Sequence, residues 1–91
     1  MPLIFEWDLR KARSNVAKHG VGFGEATTVF GDPFSLTISD PDHSLVETRY
    51  ITMGRALTGK LFVVVHTDRG DNIRIISARE ATVHERKQYE S

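Results

Sequence analysis

The chain has 91 residues, 40% of them hydrophobic and 26% charged, with 12 basic and 12 acidic side chains and no cysteine. A chain of this size builds one core, so residues 1–91 are expected to form a single domain, and the balanced composition excludes disordered, collagen-like and coiled-coil classes. With no cysteine there is neither a disulfide framework nor a thiolate metal site. Glu6 and Asp8 stand where a signal peptide would carry a basic region, and the longest apolar run, Leu61 to Val65, is too short for a bilayer, so a cytoplasmic protein with no membrane partner is expected.

The charge is unevenly spread. From Gly20 to Thr48 every charged residue is acidic (Glu25, Asp32, Asp40, Asp42, Glu47), whereas from Arg49 onward eight basic side chains face five acidic ones, a net of +3. A basic face is therefore one reading, and ordinary solvation of a surface is the other.

Taken in chain order, Leu3-Ile4-Phe5-Glu6-Trp7 is aromatic and β-branched and reads as a short strand. Asp8 looks like an N-cap. Leu9, Ala12 and Val16 recur on one face of a helix expected from Leu9 to His19 and closed by Gly20. A second, short helix is expected over Gly22 to Phe30, with Phe23, Ala26 and Phe30 on one face and Asp32-Pro33 ending it. Phe34 to Ser39 alternates apolar and polar, which predicts a strand with one buried face, and Asp40 to Ser44 reads as a loop. Thr48 to Gly54 is a strand, Leu57 to Lys60 a turn, and Leu61 to Thr67, apolar on both faces, belongs at the sheet centre. Asp68-Arg69-Gly70-Asp71 turns tightly into a last strand from Asn72 to Ala78. Thr82 and Glu85 fit a capping box opening a helix at Val83, whose low apolar content predicts weak packing. The fold class expected is α+β: two N-terminal helices, an antiparallel β-sheet meander and a short C-terminal helix.

Signals for cofactors fail. Gly20-Val21-Gly22-Phe23-Gly24 lacks dinucleotide-binding spacing, no phosphate-cradling loop is present, and Asp40-Pro41-Asp42-His43 lacks the glycine and terminal glutamate of a calcium loop. His19, His43, His66 and His84 show no metal-ligand spacing. Neither cofactor nor metal is expected. What remains is arginine, lysine, histidine and tyrosine, the set that grips phosphate and moves protons near neutral pH, which suits a phosphodiester whose own 2′-hydroxyl is the nucleophile. Arg79, at the end of the last strand, and Tyr89, beyond the capping box, would meet if the tail helix folds back beside the sheet. Arg74, between isoleucines, is either an exposed cross-strand charge or a phosphate ligand. Arg49 and Arg55 share parity with Ile51 and Met53 and can simply extend from strand ends, Arg86 lies on the tail helix, and His66 alternates with Phe62 and Val64 as a core histidine would.

Phe5-Glu6-Trp7-Asp8, Lys18-His19-Gly20-Val21, Phe23, Glu25-Ala26, Val29-Phe30 and Asp32-Pro33 resemble the N-terminal half of the BrnT toxin family. Val63-Val64-Val65, Arg74-Ile75-Ile76-Ser77-Ala78-Arg79 and Glu85-Arg86-Lys87-Gln88-Tyr89-Glu90 resemble its C-terminal half. The resemblance spans nearly the whole chain. It implies a RelE-like fold and a ribonuclease toxin of a type II toxin-antitoxin module, which cleaves RNA and inhibits translation and growth. A BrnA-type antitoxin would neutralise it, and operator DNA would be reached only through that antitoxin. By the RelE-like pattern, Arg79 and Tyr89 are the catalytic matches, with Arg49, Arg74 and Arg86 as RNA- or phosphate-binding candidates. RelE-like toxins are usually strongly basic, whereas this chain is neutral. A non-catalytic protein-binding module on a toxin-like scaffold is the alternative, and a metal-dependent nuclease using Asp40 and Asp42 a more distant one.

Overall fold

The computed structural model describes residues 2–40 and 47–91; most of the loop expected at Asp40 to Ser44, including Asp42, lies outside them. Strand β1 (Ile4–Glu6) leads into helix α1 (Leu9–His19). Asp8 caps α1 by accepting from the backbone N–H groups of Arg10 and Lys11, and Gly20 closes it in the left-handed conformation (φ 70°) that costs a glycine little. The expected second helix is only partly regular: α2 covers Phe23–Ala26 and then tightens into a 3-10 turn over Thr27–Gly31. Four strands follow, β2 (Leu36–Ser39), β3 (Arg49–Arg55), β4 (Leu61–Arg69) and β5 (Asn72–Glu80), before helix α3 (Val83–Glu90).

The five strands form one sheet in the order β1-β5-β4-β3-β2, with the apolar β4 at its centre as its two-sided hydrophobicity requires. β2 to β5 are an antiparallel meander, but the sheet is not purely antiparallel. β1 pairs with β5 in parallel, Ile4 opposite Asn72 and Glu6 opposite Arg74, because the chain leaves β1 through α1 and returns to the sheet at its far edge. A second departure concerns β2, whose four residues are all exposed, Leu36 at 47% and Ile38 at 64%: no helix among the described residues covers the expected buried face.

α1, α2 and the 3-10 turn cover one face of the sheet. There Val21, Phe23, Ala26, Val29, Phe62, Val64, Ile75 and Ala78 form the main core, each large side chain contributing about 1.5–3 kcal/mol by burial. Gly54 allows the 3-10 turn to sit directly on β3, since a Cβ there would lie 3.0 Å from the Val29 carbonyl oxygen and 3.2 Å from the Ser35 Cβ. Asn15, buried on α1, ties the helix to the sheet where β1 has ended. Its amide donates to the Ala78 carbonyl (2.8 Å) and the Val21 carbonyl (2.9 Å), and its oxygen accepts from the Ala78 N–H (3.1 Å). One side chain thus replaces the hydrogen bonds a neighbouring strand would give β5. His66 is a core histidine as expected, its Nε2 within 2.7 Å of the Thr52 hydroxyl, which meets Thr37 at 2.8 Å.

The opposite face carries a smaller cluster of Met53, Leu61 and Val63, joined by Ile51, Ala81 and Tyr89. α3 lies at one end of this face. Its capping box forms as the sequence predicts, the Thr82 hydroxyl accepting from the Glu85 N–H at 3.1 Å and the Glu85 carboxylate from the Thr82 N–H at 2.9 Å. No residue of α3 is fully buried, in keeping with its sparse apolar content.

Candidate functional site

Arg74 and Arg79 are five residues apart, so in a regular strand they would point to opposite faces. They do not. Val65 pairs with Ser77 and His66 with Ile75, leaving Ile76 as an extra residue in β5; this bulge shifts the parity. Arg79 therefore sits beside Val63 and Arg74 beside Thr67, and since Val63 and Thr67 share a side of β4, both arginines share the face that carries α3. Arg49, also opposite Thr67, joins them. Two clusters result, separated along β4 by the four residue steps from Val63 to Thr67, about 13 Å of strand.

At one end, Arg79 meets α3. Its Nη1 and Nη2 donate to the two carboxylate oxygens of Glu85 at 2.8 and 2.9 Å, a forked pair that also serves the capping box. The Arg79 bonds are the main reason the Glu85 carboxyl is held far down, at about 2 instead of 4.5, and Glu85 in turn raises Arg79. One helical turn further on, Tyr89 shares the inward side of α3 with Glu85 and Arg86, these three being the half-buried members of the helix. The tail helix folds back beside the sheet, but Arg79 and Tyr89 make no hydrogen bond with each other: Arg79 is held by Glu85 and Tyr89 by Asp32.

The Tyr89 hydroxyl donates to Oδ2 of Asp32, which also accepts from the backbone N–H of Arg55 at 2.8 Å, while Oδ1 accepts from Phe34 N–H at 2.9 Å. The Arg55 guanidinium stands 5.6 Å over the Tyr89 ring. Burial works against ionisation of Asp32, but the donors from Tyr89, Arg55 and Phe34 outweigh it and hold the carboxyl below its usual range. The bond to Asp32, with burial second, raises Tyr89. Beside Asp32 and Arg55 opens a shallow cavity of about 530 Å³ bordered by Thr28, Ala56 and Leu57. Asp32 and Arg55 were not legible as site residues: Asp32 reads as a helix stop before Pro33, and its partner is 57 positions away.

At the other end, Arg74 donates to Glu6 at 2.7 Å and Arg49 pairs with Glu47 at 3.5 Å. Glu6 is lowered by its bonds from Asn72 and Arg74. Between the two ends run the cross-strand rows Leu36-Met53-Val63 and Ile38-Ile51-Val65, with a groove of about 170 Å³ that Glu85 and Gln88 border. Arg86 makes no side-chain hydrogen bond or ion pair with a described residue. Among the described residues no group of three or more histidine, aspartate or glutamate side chains is arranged to hold a metal ion, and no helix is long and apolar enough to cross a membrane.

No curated protein matches the chain in sequence. The fold is similar to that in the 1.1 Å crystal structure of the Brucella abortus ribonuclease toxin BrnT, with a TM-score of 0.66 at 21% identity over 89% of this chain and 99% of that one. The family model for the ribonuclease toxin BrnT of type II toxin-antitoxin systems matches residues 7–85. With three helices and a five-stranded mixed sheet among its described residues, and matched over most of its length by that model, this α+β chain belongs to the BrnT family of type II toxin-antitoxin ribonuclease toxins.

Proposed function

We propose that this chain is an endoribonuclease that cleaves RNA without a metal, inhibits translation and growth, and is neutralised by a BrnA-type antitoxin through which alone it reaches operator DNA. In the proposed reaction the RNA 2′-oxygen forms a bond to phosphorus and the bond from phosphorus to the 5′-oxygen breaks. The 2′-hydroxyl proton passes to solvent water, the 5′-oxygen gains one from solvent, and a 2′,3′-cyclic phosphate and a 5′-hydroxyl result. The nucleophile belongs to the substrate, so the protein needs only to hold the phosphate, stabilise its charge and receive a hydrogen bond from the 2′-hydroxyl. Arg79 is assigned to the reacting phosphate, Tyr89 to the hydroxyl, and Arg86, Arg74 and Arg49 to flanking phosphates.

The observation that carries this reading is the sharing of one helix face by Glu85 and Tyr89. It brings a forked guanidinium and a phenol to the same end of an otherwise open sheet face. The test is incubation of the purified chain with RNA, with and without a chelator, followed by identification of product ends. Cyclic or 3′-phosphate ends in the presence of chelator are expected. Arg79→Lys keeps the charge but loses the fork and should cut about 10²- to 10³-fold more slowly, and Tyr89→Phe should also lose rate. Parental cleavage by both folded variants would refute the assignment.

A specific observation favours a second reading, a toxin-like scaffold that acts only by binding protein. Arg74, Arg79 and Arg49 each already face a carboxylate, on Glu6, Glu85 and Glu47. RNA left intact by a chain that still binds its antitoxin would select that reading.

A further inference from the structure

Asp32 lies far from Tyr89 in sequence, is absent from the assignment above, and receives three hydrogen bonds: from Phe34 in its own turn, from Arg55 on β3 and from Tyr89 on α3. An ionised carboxylate can only accept. The pair is therefore directional: the single phenolic proton of Tyr89 points at Oδ2 of Asp32, and it cannot at the same time point at a substrate. The oxygen keeps its lone pairs; the Arg55 side chain bears on one of them, lowering Tyr89 against the larger upward effect of Asp32, and the other is left for a ligand. A tyrosine held in this way accepts hydrogen bonds from a ligand and does not donate them. Two further contacts make the geometry rigid. The Arg55 N–H fixes the same Oδ2 from the backbone of β3, and the Arg55 guanidinium covers the phenol ring, 5.6 Å from its centroid.

We propose, on the ribonuclease reading above, that Asp32 is the positioning residue of the site, which aims the Tyr89 proton away from the substrate and so commits the Tyr89 oxygen to accept the hydrogen bond of the RNA 2′-hydroxyl. Tyr89 is then the acceptor beside the nucleophile and not the donor at the leaving 5′-oxygen. Asp32 touches no substrate; it acts through Tyr89. The negative charge beside the phenol has a second effect, since it disfavours the phenolate and raises Tyr89. Tyr89 therefore stays a neutral, oriented acceptor at physiological pH.

The test combines kinetics with a direct reading of the phenol. Asp32→Asn preserves shape but can turn an amide N–H toward Tyr89. It should lower kcat by up to about 100-fold with KM little changed, because orientation and not phosphate binding is lost. The double variant Asp32→Asn/Tyr89→Phe should be no slower than Tyr89→Phe alone, as expected of residues that act as one unit. Independently of activity, alkaline titration of phenolate absorbance in a Tyr50→Phe background, where Tyr89 is the remaining tyrosine, should give a lower midpoint once Asp32→Asn is added. Because Asp32 also anchors the backbone of Phe34 and Arg55, rates are compared below each variant's melting transition. The Asp32 carboxyl is also titrated by NMR in Tyr89→Phe, where it should rise toward its usual value. Multiplicative kinetic effects, or an unmoved Tyr89 midpoint, would overturn the inference. A slowed Tyr89→Phe beside a parental Asp32→Asn would overturn it while leaving the ribonuclease assignment intact, whereas parental cleavage by Tyr89→Phe would overturn that assignment first.

Discussion

Glu85→Gln isolates the Arg79–Glu85 pair, because glutamine can still accept the Thr82 N–H and keep the capping box while losing the charge that holds the guanidinium fork. The carboxyl lies at about 2 against an ordinary 4.5, which at about 1.4 kcal/mol per tenfold change in proton affinity caps the contribution at about 3.5 kcal/mol. Solvent reduces this. The Arg79 side chain is 41% exposed and that of Glu85 25%, so about 1–2 kcal/mol is expected to survive screening, or a fall in Tm of roughly 5–15 °C for a domain of this size. The sign in pH follows from the lowered carboxyl. Its contribution is complete above the unfolded value of 4.5 and disappears as pH falls toward about 2, so the parent should lose stability across that interval and Glu85→Gln should lose less. Calorimetric melting from neutral to acid pH measures both. A variant that melts within about 1 °C of the parent at neutral pH, with the same acid slope, would refute the claim that this pair anchors α3.

Asn15→Ala removes the side chain that satisfies both the N–H and the C=O of Ala78, and leaving these buried groups unpaired should cost about 2–4 kcal/mol in urea unfolding. His66 is lowered by burial, against a smaller opposing pull from Asp68, so stability should be complete above its ordinary 6.5 and decline as pH falls below it; urea midpoints measured over that range should lose this decline in His66→Gln. Gly54→Val would drive branched methyls into the Val29 carbonyl and Ser35, and should lower stability by more than about 2 kcal/mol, with Gly54→Ala milder.

Local chemistry was legible in the sequence. The Asp8 cap, the Leu9–His19 helix, the Gly20 stop and the Thr82–Glu85 capping box all follow from contacts within four residues, where side chain and backbone must meet whatever the rest of the fold does. The central position of β4 followed from its two-sided hydrophobicity. What failed depends on distant partners. β1 looks like any short strand, and only the route through α1 makes it parallel to β5. The alternation in Leu36–Ser39 is that of a strand with one covered face, yet all four residues are exposed and α3 only borders the groove beside Leu36 and Ile38. The bulge at Ile76 leaves no mark in a run of isoleucines, and without it Arg74 would seem to oppose Arg79. Glu85 was readable as a cap but not as the partner of Arg79, and Asp32 as a helix stop but not as the acceptor for Tyr89.

These partners bear on the chain's neutrality. The face-lining cations Arg74 and Arg79 are matched by Glu6 and Glu85, so the charge that a nucleic acid would meet is largely spent inside the protein. On the proposed assignment, binding a phosphate at Arg79 would be an exchange, in which the ligand must match a two-point carboxylate contact that also holds α3. Each such exchange releases fewer counterions than capture by an unpaired cation, so RNA affinity should depend on salt less steeply than the number of arginines suggests. The same exchange loosens the helix, because the inward side of α3 is Glu85, Arg86 and Tyr89 and apolar burial contributes little to holding it. On the proposed assignment, phosphate binding at Arg79 and the seating of Tyr89 would be coupled: a ligand that takes Arg79 from Glu85 would leave α3 held mainly by Tyr89, through Asp32, Arg55 and the small apolar cluster of Met53, Leu61 and Val63.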